Sequence, residues 1–318
     1  MLRRRSLATR RADRVRVAVT GAGGRLGRAV VTALEEAPFT GPFGPIAWSR
    51  GIFDLDAPDA AGTLLDRDRP ELVVHCAAWT DVDGCAREPE LAMARNGTAT
   101  GILARAAAKR GIDLIVVSTN EVFDGRRTDG LGYGPDDPTA PINAYGASKL
   151  AGEVAARAAY EGVAGPALGI ARTAWLYGPP GNDFPAKILA AAERATASGD
   201  PLRLVADEVG SPSYTHDVAE TIVELIGSAA VAGTHHLVNS GSASRAAWGR
   251  ELLRQAGVDV PTEDVPASTW PRASTPPAWA VLEPTPLPGG EPLRPWQAAL
   301  ADYLPTLLRQ RAASGAAR

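Results

Sequence analysis

Lysine is nearly missing from this chain. Of 33 basic residues among 318, only Lys109, Lys149 and Lys187 are lysines, so each invites a local reason. Cysteine is as scarce. Cys76 and Cys85 are the only two, too few for a disulfide framework and suited to a reducing cytosol. Both read as small packing residues. The histidines, His75, His216, His235 and His236, show no metal-ligand spacing alongside cysteines or carboxylates, and no metal site is expected. His235 and His236 fall in an expected strand, where neighbours point to opposite faces. No apolar run reaches the ~20 residues of a membrane-spanning helix. Neither charge sign dominates: the net charge is −3, which gives no global field for nucleic acid. The one basic stretch, Met1 to Arg14, carries six arginines and no apolar core, so it is not read as a secretory signal. A disordered extension or a misplaced start is expected there, and a cytoplasmic protein overall.

The chain is long enough for one large or two smaller domains. Strands are expected near 15–20, 45–49, 71–76, 112–118, 166–172, 202–205 and 234–238. Helices are expected near 25–37, 57–67, 88–110, 143–160, 183–198, 216–228, 244–256 and 296–311. Such alternation with short links predicts an α/β protein, a doubly wound parallel sheet with helices on both faces. Residues 120–141 form a polar loop longer than most connections, which suits a cover over a site. Ten prolines between Pro261 and Pro295 suggest irregular ordered chain in a smaller C-terminal part. Trp296, Leu300, Leu304 and Leu307 make an apolar stripe at helical spacing, read as core packing.

Three features carry chemistry. The run Val15-Arg-Val-Ala-Val-Thr20 leads into Gly21-Ala-Gly-Gly24-Arg-Leu-Gly27. A β-branched strand, a glycine turn and an Ala/Val/Leu-rich helix read as the opening of a Rossmann-type nucleotide-binding domain. Gly21 allows a tight turn, Gly24 close approach of a pyrophosphate, and Gly27 close packing of helix on strand. The unpaired N–H groups of the helix start suit phosphate. Next, Ile112-Asp-Leu-Ile-Val-Val-Ser118-Thr119 is a buried-type strand ending in two hydroxyls. Ligands of open α/β sheets sit at such carboxyl ends, and a hydroxyl there can bond a carbonyl. Third, Tyr145-Gly-Ala-Ser-Lys149 puts a phenol and an ammonium on one helix face. A neighbouring cation favours loss of the phenol proton, and such a phenol exchanges protons with a carbonyl oxygen. Each feature has a plainer reading: a solvated Tyr–Lys pair, an ordinary strand–helix turn, a Ser-Thr turn cap. Their order and spacing favour the functional one.

With these residues in place, the chain resembles the extended short-chain dehydrogenase/reductase superfamily and, within it, is similar to the dTDP-4-dehydrorhamnose reductase family. The matching stretches are Gly21 to Gly27, Ala77-Ala-Trp-Thr-Asp-Val-Asp83, Ser118-Thr-Asn-Glu-Val-Phe-Asp-Gly125, Pro141-Ile-Asn-Ala-Tyr-Gly-Ala-Ser-Lys-Leu-Ala-Gly-Glu153, Arg172-Thr-Ala-Trp-Leu-Tyr-Gly178 and Asp207-Glu-Val-Gly-Ser-Pro212. The resemblance implies a catalytic trio of Thr119, Tyr145 and Lys149. The reaction it implies is hydride transfer from a reduced nicotinamide to a nucleotide-linked 4-keto-6-deoxyhexose, with dTDP-4-dehydro-L-rhamnose as leading substrate. Cofactor contacts are expected at Gly21, Gly24, Arg25, Leu26, Gly27, Ala77, Ala78, Thr80 and Asn96, besides Tyr145 and Lys149. After the second strand, where an NAD enzyme would place an acid, stand Ser49 and Arg50. They favour NADPH through its 2′-phosphate, although Asp54, Leu55 and Asp56 follow and leave NADH open. Substrate contacts are expected at Thr119, Trp175, Asn182, Phe184 and Lys187.

The expected division is 15–175 with 215–240 for the cofactor, 176–214 with 241–295 for the sugar, and 296–318 as a final helix and tail. The partner is a nucleotide sugar, not nucleic acid or membrane, and a homodimer is allowed for. The family pattern fails in two places. Asn120-Glu121 stands where Asp-Tyr is usual, and Thr275-Pro276-Pro277 with Ala280 replaces a basic run and a serine. Two rivals remain: an epimerase or dehydratase of the same superfamily, for which Glu121 would be an acid–base group, and a non-catalytic NADP-binding regulatory subunit.

Overall fold

In chain order the strands are β1 (Val17–Thr20), β2 (Ile46–Trp48), β3 (Leu72–His75), β4 (Asp113–Thr119), β5 (Leu168–Thr173), β6 (Leu176–Tyr177), β7 (Leu202–Val205), β8 (Val209–Gly210), β9 (Ser213–Tyr214), β10 (Gly233–His236), β11 (Ala243–Ser244), β12 (Thr262–Val265) and β13 (Trp279–Ala280). The helices are α1 (Arg25–Glu36), α2 (Ala61–Asp68), α3 (Val82–Arg87), α4 (Pro89–Ala92), α5 (Ala99–Ala108), α6 (Ala144–Tyr160), α7 (Phe184–Ser198), α8 (Thr215–Gly227), α9 (Arg245–Ala256) and α10 (Trp296–Ala316). This computed structural model describes residues 14–42 and 44–316. The arginine-rich extension expected at the start lies outside the described residues, except for Arg14.

Six strands form one parallel sheet in the order β10-β5-β4-β3-β1-β2. Side chains alternate across it with a period of two. On one face Val17, Val19, Val74 and Ile115 meet Leu26, Val30 and Leu34 of α1 and Val218, Ile222 and Ile226 of α8. On the other, Ala18, Val73, Leu114 and Val116 meet Leu64 and Leu65 of α2, Leu103 and Ala107 of α5, and Ala156 and Tyr160 of α6. Burying each of these Val, Leu and Ile side chains contributes ~1.5–3 kcal/mol. The order of the sheet reverses between β1 and β3, and a crevice opens at the carboxyl ends of these strands. A third core joins α7, β7, α9 and α10 through Leu189, Leu204, Trp248, Leu252 and Tyr303. The expected stripe Trp296, Leu300, Leu304 and Leu307 is buried in it.

The helix expected over 88–110 is three pieces. A π-helical turn at Met93–Thr98 separates α4 from α5. Such a widened turn is a frequent companion of functional sites. The sequence reading missed α3, whose Asp81 cap accepts a hydrogen bond from Gly84 N at 3.0 Å. It also missed the two-residue strands. None is long enough to display a period.

His75 ends β3 fully buried. Ala77 N–H donates to Thr20 Oγ1, and the Thr20 hydroxyl lies 2.8 Å from His75 Nδ1. Thr100 donates to Asn96 O, so His75 Nε2–H donates to Thr100 Oγ1 at 3.1 Å. In the neutral imidazole that burial favours, Nε2 carries the proton and Nδ1 accepts from the Thr20 hydroxyl. Burial, and then the Lys149 charge, pushes the His75 pKa down to about 3. Burial, and then Arg172, pushes His236 down to about 4. Below pH ~6.5 the unfolded chain takes up protons that these two folded residues refuse, so stability is full above that pH and falls with acidification. The free energy of urea unfolding is expected to drop by about 2–3 kcal/mol between pH 7.5 and 5.5. An unchanged value would show that both imidazoles ionise in the fold.

Candidate functional site

A cleft of about 410 Å³ lies at the carboxyl edge of the sheet, between the glycine turn, the end of β4 and α6. A second cavity of about 220 Å³ continues from it and shares Thr80, Val82, Asn120, Glu121 and Trp175.

The glycine turn walls the cleft at Gly21, Gly24, Arg25, Leu26 and Gly27. A Cβ on Gly27 would lie 2.2 Å from the Gly21 carbonyl, so only glycine lets α1 start so close to the turn. Gly24 caps α1 without any side-chain hydrogen bond. The N–H groups of the first turn therefore keep their capacity for an anion. Leu26 is buried and joins the sheet core. The Arg25 side chain also reaches beyond the turn. Its guanidinium donates to the carbonyls of Gly178 and Asn182 and pairs with Asp183 at 3.4 Å, so it ties the turn to the start of α7.

Ser49 and Arg50 are exposed after β2 and do not wall the cleft. Asp54 accepts from Asp56 N at 3.1 Å, and Leu55 packs against the sheet core. Asp56 takes both branches of Arg95, at 2.6 and 2.7 Å. Those hydrogen bonds, with the charges of Arg95 and Arg50, hold its carboxyl below the usual range. Arg95 in turn covers the Trp79 ring at 5.1 Å. Ala78 and Thr80 wall the cleft, while Ala77 packs inward. Asn96, expected at the cofactor, is buried and does not wall the cleft. Its amide accepts from Trp79 N (2.8 Å) and donates to Trp79 O (3.0 Å) and Ser148 Oγ (3.0 Å). Every bond is spent on fixing the loop after β3 to α6.

Thr119, Tyr145 and Lys149 wall the same cleft. Asn143 caps α6 by accepting from Gly146 N at 2.8 Å, which places Tyr145 in the first turn and Lys149 one turn later. Lys149 Nζ donates to Val117 O at 2.7 Å. Burial pulls its pKa down to about 8 against the opposing field of Glu153. The Tyr145 phenol is held above its ordinary value, by burial first and then by the Glu121 carboxylate, against a hydrogen bond with Thr119. The sequence had suggested the reverse, a phenol made more acidic by the lysine. The ammonium faces the Val117 carbonyl instead, and desolvation of the phenolate outweighs the rest. A phenol that keeps its proton at neutral pH is suited to donating it. Neither cysteine competes as a nucleophile, since burial pushes Cys76 up to about 12 and Cys85 up to about 11.

Beneath the trio, Glu153 accepts from Ser118 Oγ and pairs with Arg172 at 2.8 Å. Arg172 also donates to Pro135 O at 3.2 Å. Both partners are buried.

Trp175 walls both cavities with its backbone at φ +41°, a left-handed conformation rarely adopted by a bulky residue. The Arg245 guanidinium lies 3.5 Å over its ring. Phe184 stacks on Trp248 at 4.4 Å behind it, so it supports the wall and does not form it. Asn182 and Lys187 are exposed and wall neither cavity, contrary to expectation. Sequence reasoning missed Arg245, Glu208 and Arg272. Glu208 pairs with Arg245 at 3.5 Å and with Arg272, and burial brings Arg245 down to about 10. Glu208 stands in the matching stretch Asp207 to Pro212, but nothing local marks Arg245 or Arg272 as its partners; only the fold brings the three together.

The segment that departs from the family pattern lies here as well. Pro276, Pro277 and Ala280 wall the second cavity with Glu121. Ser274 N donates to Asp83 (2.9 Å), Asn143 Nδ2 to Thr275 O (3.1 Å) and Asn120 Nδ2 to Ala280 O (3.2 Å).

Over residues 15–309 the chain matches the family described as RmlD substrate binding domain. A dTDP-4-dehydrorhamnose reductase of Streptomyces griseus is 39% identical over 308 residues, covering 92% of this chain and 94% of its own length. Its counterpart from Mycobacterium tuberculosis strain H37Rv is 35% identical over 296 residues, covering 91% and 92%. A crystal structure of dTDP-4-dehydrorhamnose reductase from Bacillus anthracis in complex with NADP shares the fold at a TM-score of 0.81 and 29% identity, covering 92% of this chain and 99% of that one.

Proposed function

Because this chain belongs to the RmlD substrate binding domain family, we propose that it is an NAD(P)H-dependent oxidoreductase that reduces a nucleotide-linked 4-keto-6-deoxyhexose, foremost dTDP-4-dehydro-L-rhamnose to dTDP-L-rhamnose. The observation that carries this reading is the convergence of Thr119, Tyr145 and Lys149 in one cleft with the uncapped start of α1.

A dinucleotide fits the residues present. The open N–H groups of the first turn of α1, at Arg25 and Leu26, suit its phosphates, and Gly27 keeps the turn tight beneath them. Bound there, a reduced nicotinamide supplies the hydride. Thr119 donates a hydrogen bond to the ketone oxygen and orients it. Tyr145 delivers its proton to that oxygen as the alkoxide forms. Lys149 Nζ, held on Val117 O at the cleft wall, offers a compact ammonium to the nicotinamide ribose, where an arginine fork would fit poorly. Trp175 forms the wall for the sugar. Residues 15–175 with 215–240 serve the cofactor on this reading, and 176–214 with 241–295 the sugar. Helix α10 shares the core of α7 and α9 and counts with the sugar part.

The test is direct: purified protein, NADPH and dTDP-4-dehydro-L-rhamnose, with nicotinamide absorbance followed. Oxidation at saturating ketosugar supports the reading. Activity on another ketosugar alone would remove rhamnose, and none on any would favour a non-catalytic subunit. NADPH preference rests on Ser49 and Arg50 in place of an acid. Arg50→Asp is expected to move the ratio of kcat/KM with NADPH to that with NADH roughly tenfold toward NADH, by placing like charge beside the 2′-phosphate. An unchanged ratio would show that Arg50 only faces water.

A further inference from the structure

We propose that Glu121 is the specificity-determining residue of this cleft, accepting a hydrogen bond from the substrate hydroxyl on the carbon next to the ketone. The proposal rests on the reading above that a ketosugar binds here.

Its placement is the first ground. Glu121 stands two residues beyond Thr119 and donates its own N–H to Thr119 Oγ1 at 3.2 Å. It walls both cavities, so its carboxyl stands where the reacting end of a sugar at Thr119 would pass into the second cavity. Its backbone presses on α6 beside the phenol: a Cβ on Gly146 would come 2.0 Å from the Glu121 carbonyl.

The second ground is how the carboxyl is held. Oε2 accepts from Asn143 Nδ2 at 2.7 Å. The same asparagine caps α6 and holds Thr275, so one side chain fixes Glu121, Tyr145 and the cavity wall together. Oε1 has no hydrogen-bond partner among the described residues. The nearby cations do not supply one. Arg245 and Arg272 act on Glu121 through their charge, but both are paired with Glu208. Glu208 is thereby satisfied, whereas Glu121 is a partly desolvated carboxylate with one oxygen unanswered. Burial accordingly raises its pKa.

Such a group asks its ligand for a donor. A hydroxyl gives a short charge-assisted bond to a carboxylate. A ketosugar that offers its carbonyl to Thr119 carries a hydroxyl on the adjacent carbon. A substrate lacking it would leave the carboxylate unpaired, and sites built around one hydrogen bond reject such analogues strongly.

The experiment compares two nucleotide-linked 4-keto-6-deoxyhexoses, with and without the hydroxyl at the adjacent carbon 3. It uses wild type, Glu121→Gln and Glu121→Ala. Two readouts are taken: kcat/KM with NADPH, and the Kd of the corresponding 4-alcohol sugars in the presence of NADP. Wild type is expected to favour the hydroxylated sugar by at least ~100-fold in kcat/KM and at least ~10-fold in Kd. Glu121→Ala should bring both ratios to within about threefold, and Glu121→Gln, whose amide oxygen still accepts, should fall between. NADPH binding by each variant reports that the fold survives. A wild type indifferent to the hydroxyl, or a preference that survives in Glu121→Ala, overturns the proposal. If no protein oxidises NADPH but the Kd ratio collapses in Glu121→Ala, the role of Glu121 stands and the reductase reading falls.

Discussion

Tyr145→Phe is expected to lower kcat on a ketosugar by a factor on the order of 100 or more, the loss that follows removal of a positioned acid. The substitution takes away one hydroxyl and little else. The ring packs with Cys85 and Ala92, contacts that phenylalanine keeps, so folding and NADPH binding should survive. No neighbour can take over the proton. The Thr119 hydroxyl can hydrogen-bond the oxygen but is too weak an acid to give up its proton, and the Lys149 ammonium is turned to Val117 O. Because burial holds the phenol above its ordinary pKa, wild type should keep its acid form across neutral pH. Lys149→Met should weaken cofactor binding too, which separates the two roles. Steady-state kinetics together with NADPH titration decide the matter; more than a tenth of the activity left in Tyr145→Phe would sink the assignment.

The largest effect on stability is expected at Glu153. Its ion pair with Arg172 is buried on both sides, at 1% and 4% side-chain exposure. Glu153→Ala leaves a guanidinium inside the protein whose remaining hydrogen bond among the described residues is to Pro135 O, with the Phe123 face at 5.1 Å. Breaking a buried pair in this way costs about 3–5 kcal/mol. Removing both charges, as Glu153→Leu with Arg172→Met, should cost much less, because nothing charged is then stranded. Urea unfolding of the single and double variants measures both. A single-variant loss below ~1 kcal/mol would mean that water reaches the arginine. Loss of Glu153 should also let the Lys149 pKa drop further below about 8 and move the alkaline limb of activity downward, since its field opposes the burial of the ammonium.

The scaffold was legible because its signals are local and periodic. Val17 to Thr20, the glycine turn and Tyr145 to Lys149 each announce themselves within a few residues, and the structure sets the elements that carry them within one or two positions of the expected bounds. The trio was legible for the same reason. The rest of the site was not, because it is assembled across distance. Glu208, Arg245 and Arg272 come from three separate segments and meet only in the fold. Asn143 could have been read two positions before Tyr145 as a helix cap, but its hold on Glu121 and Thr275 could not. Asn96 and Arg25 sit in the expected motifs yet spend their polar groups inside the protein, a choice that spacing alone does not reveal.

The wall completed by Ser274 and Ala280 has a consequence for the order in which the enzyme comes into being. Its bonds to Asp83 and Asn120 span 191 and 160 positions of sequence. Contacts so far apart in the chain form late, because a long loop must close before they can contribute. During synthesis the sheet up to β5 can pair while the cavity still lacks one side. A nascent chain can thus hold Tyr145 and Lys149 in register on α6 well before the second cavity, which Ala280 walls, is closed.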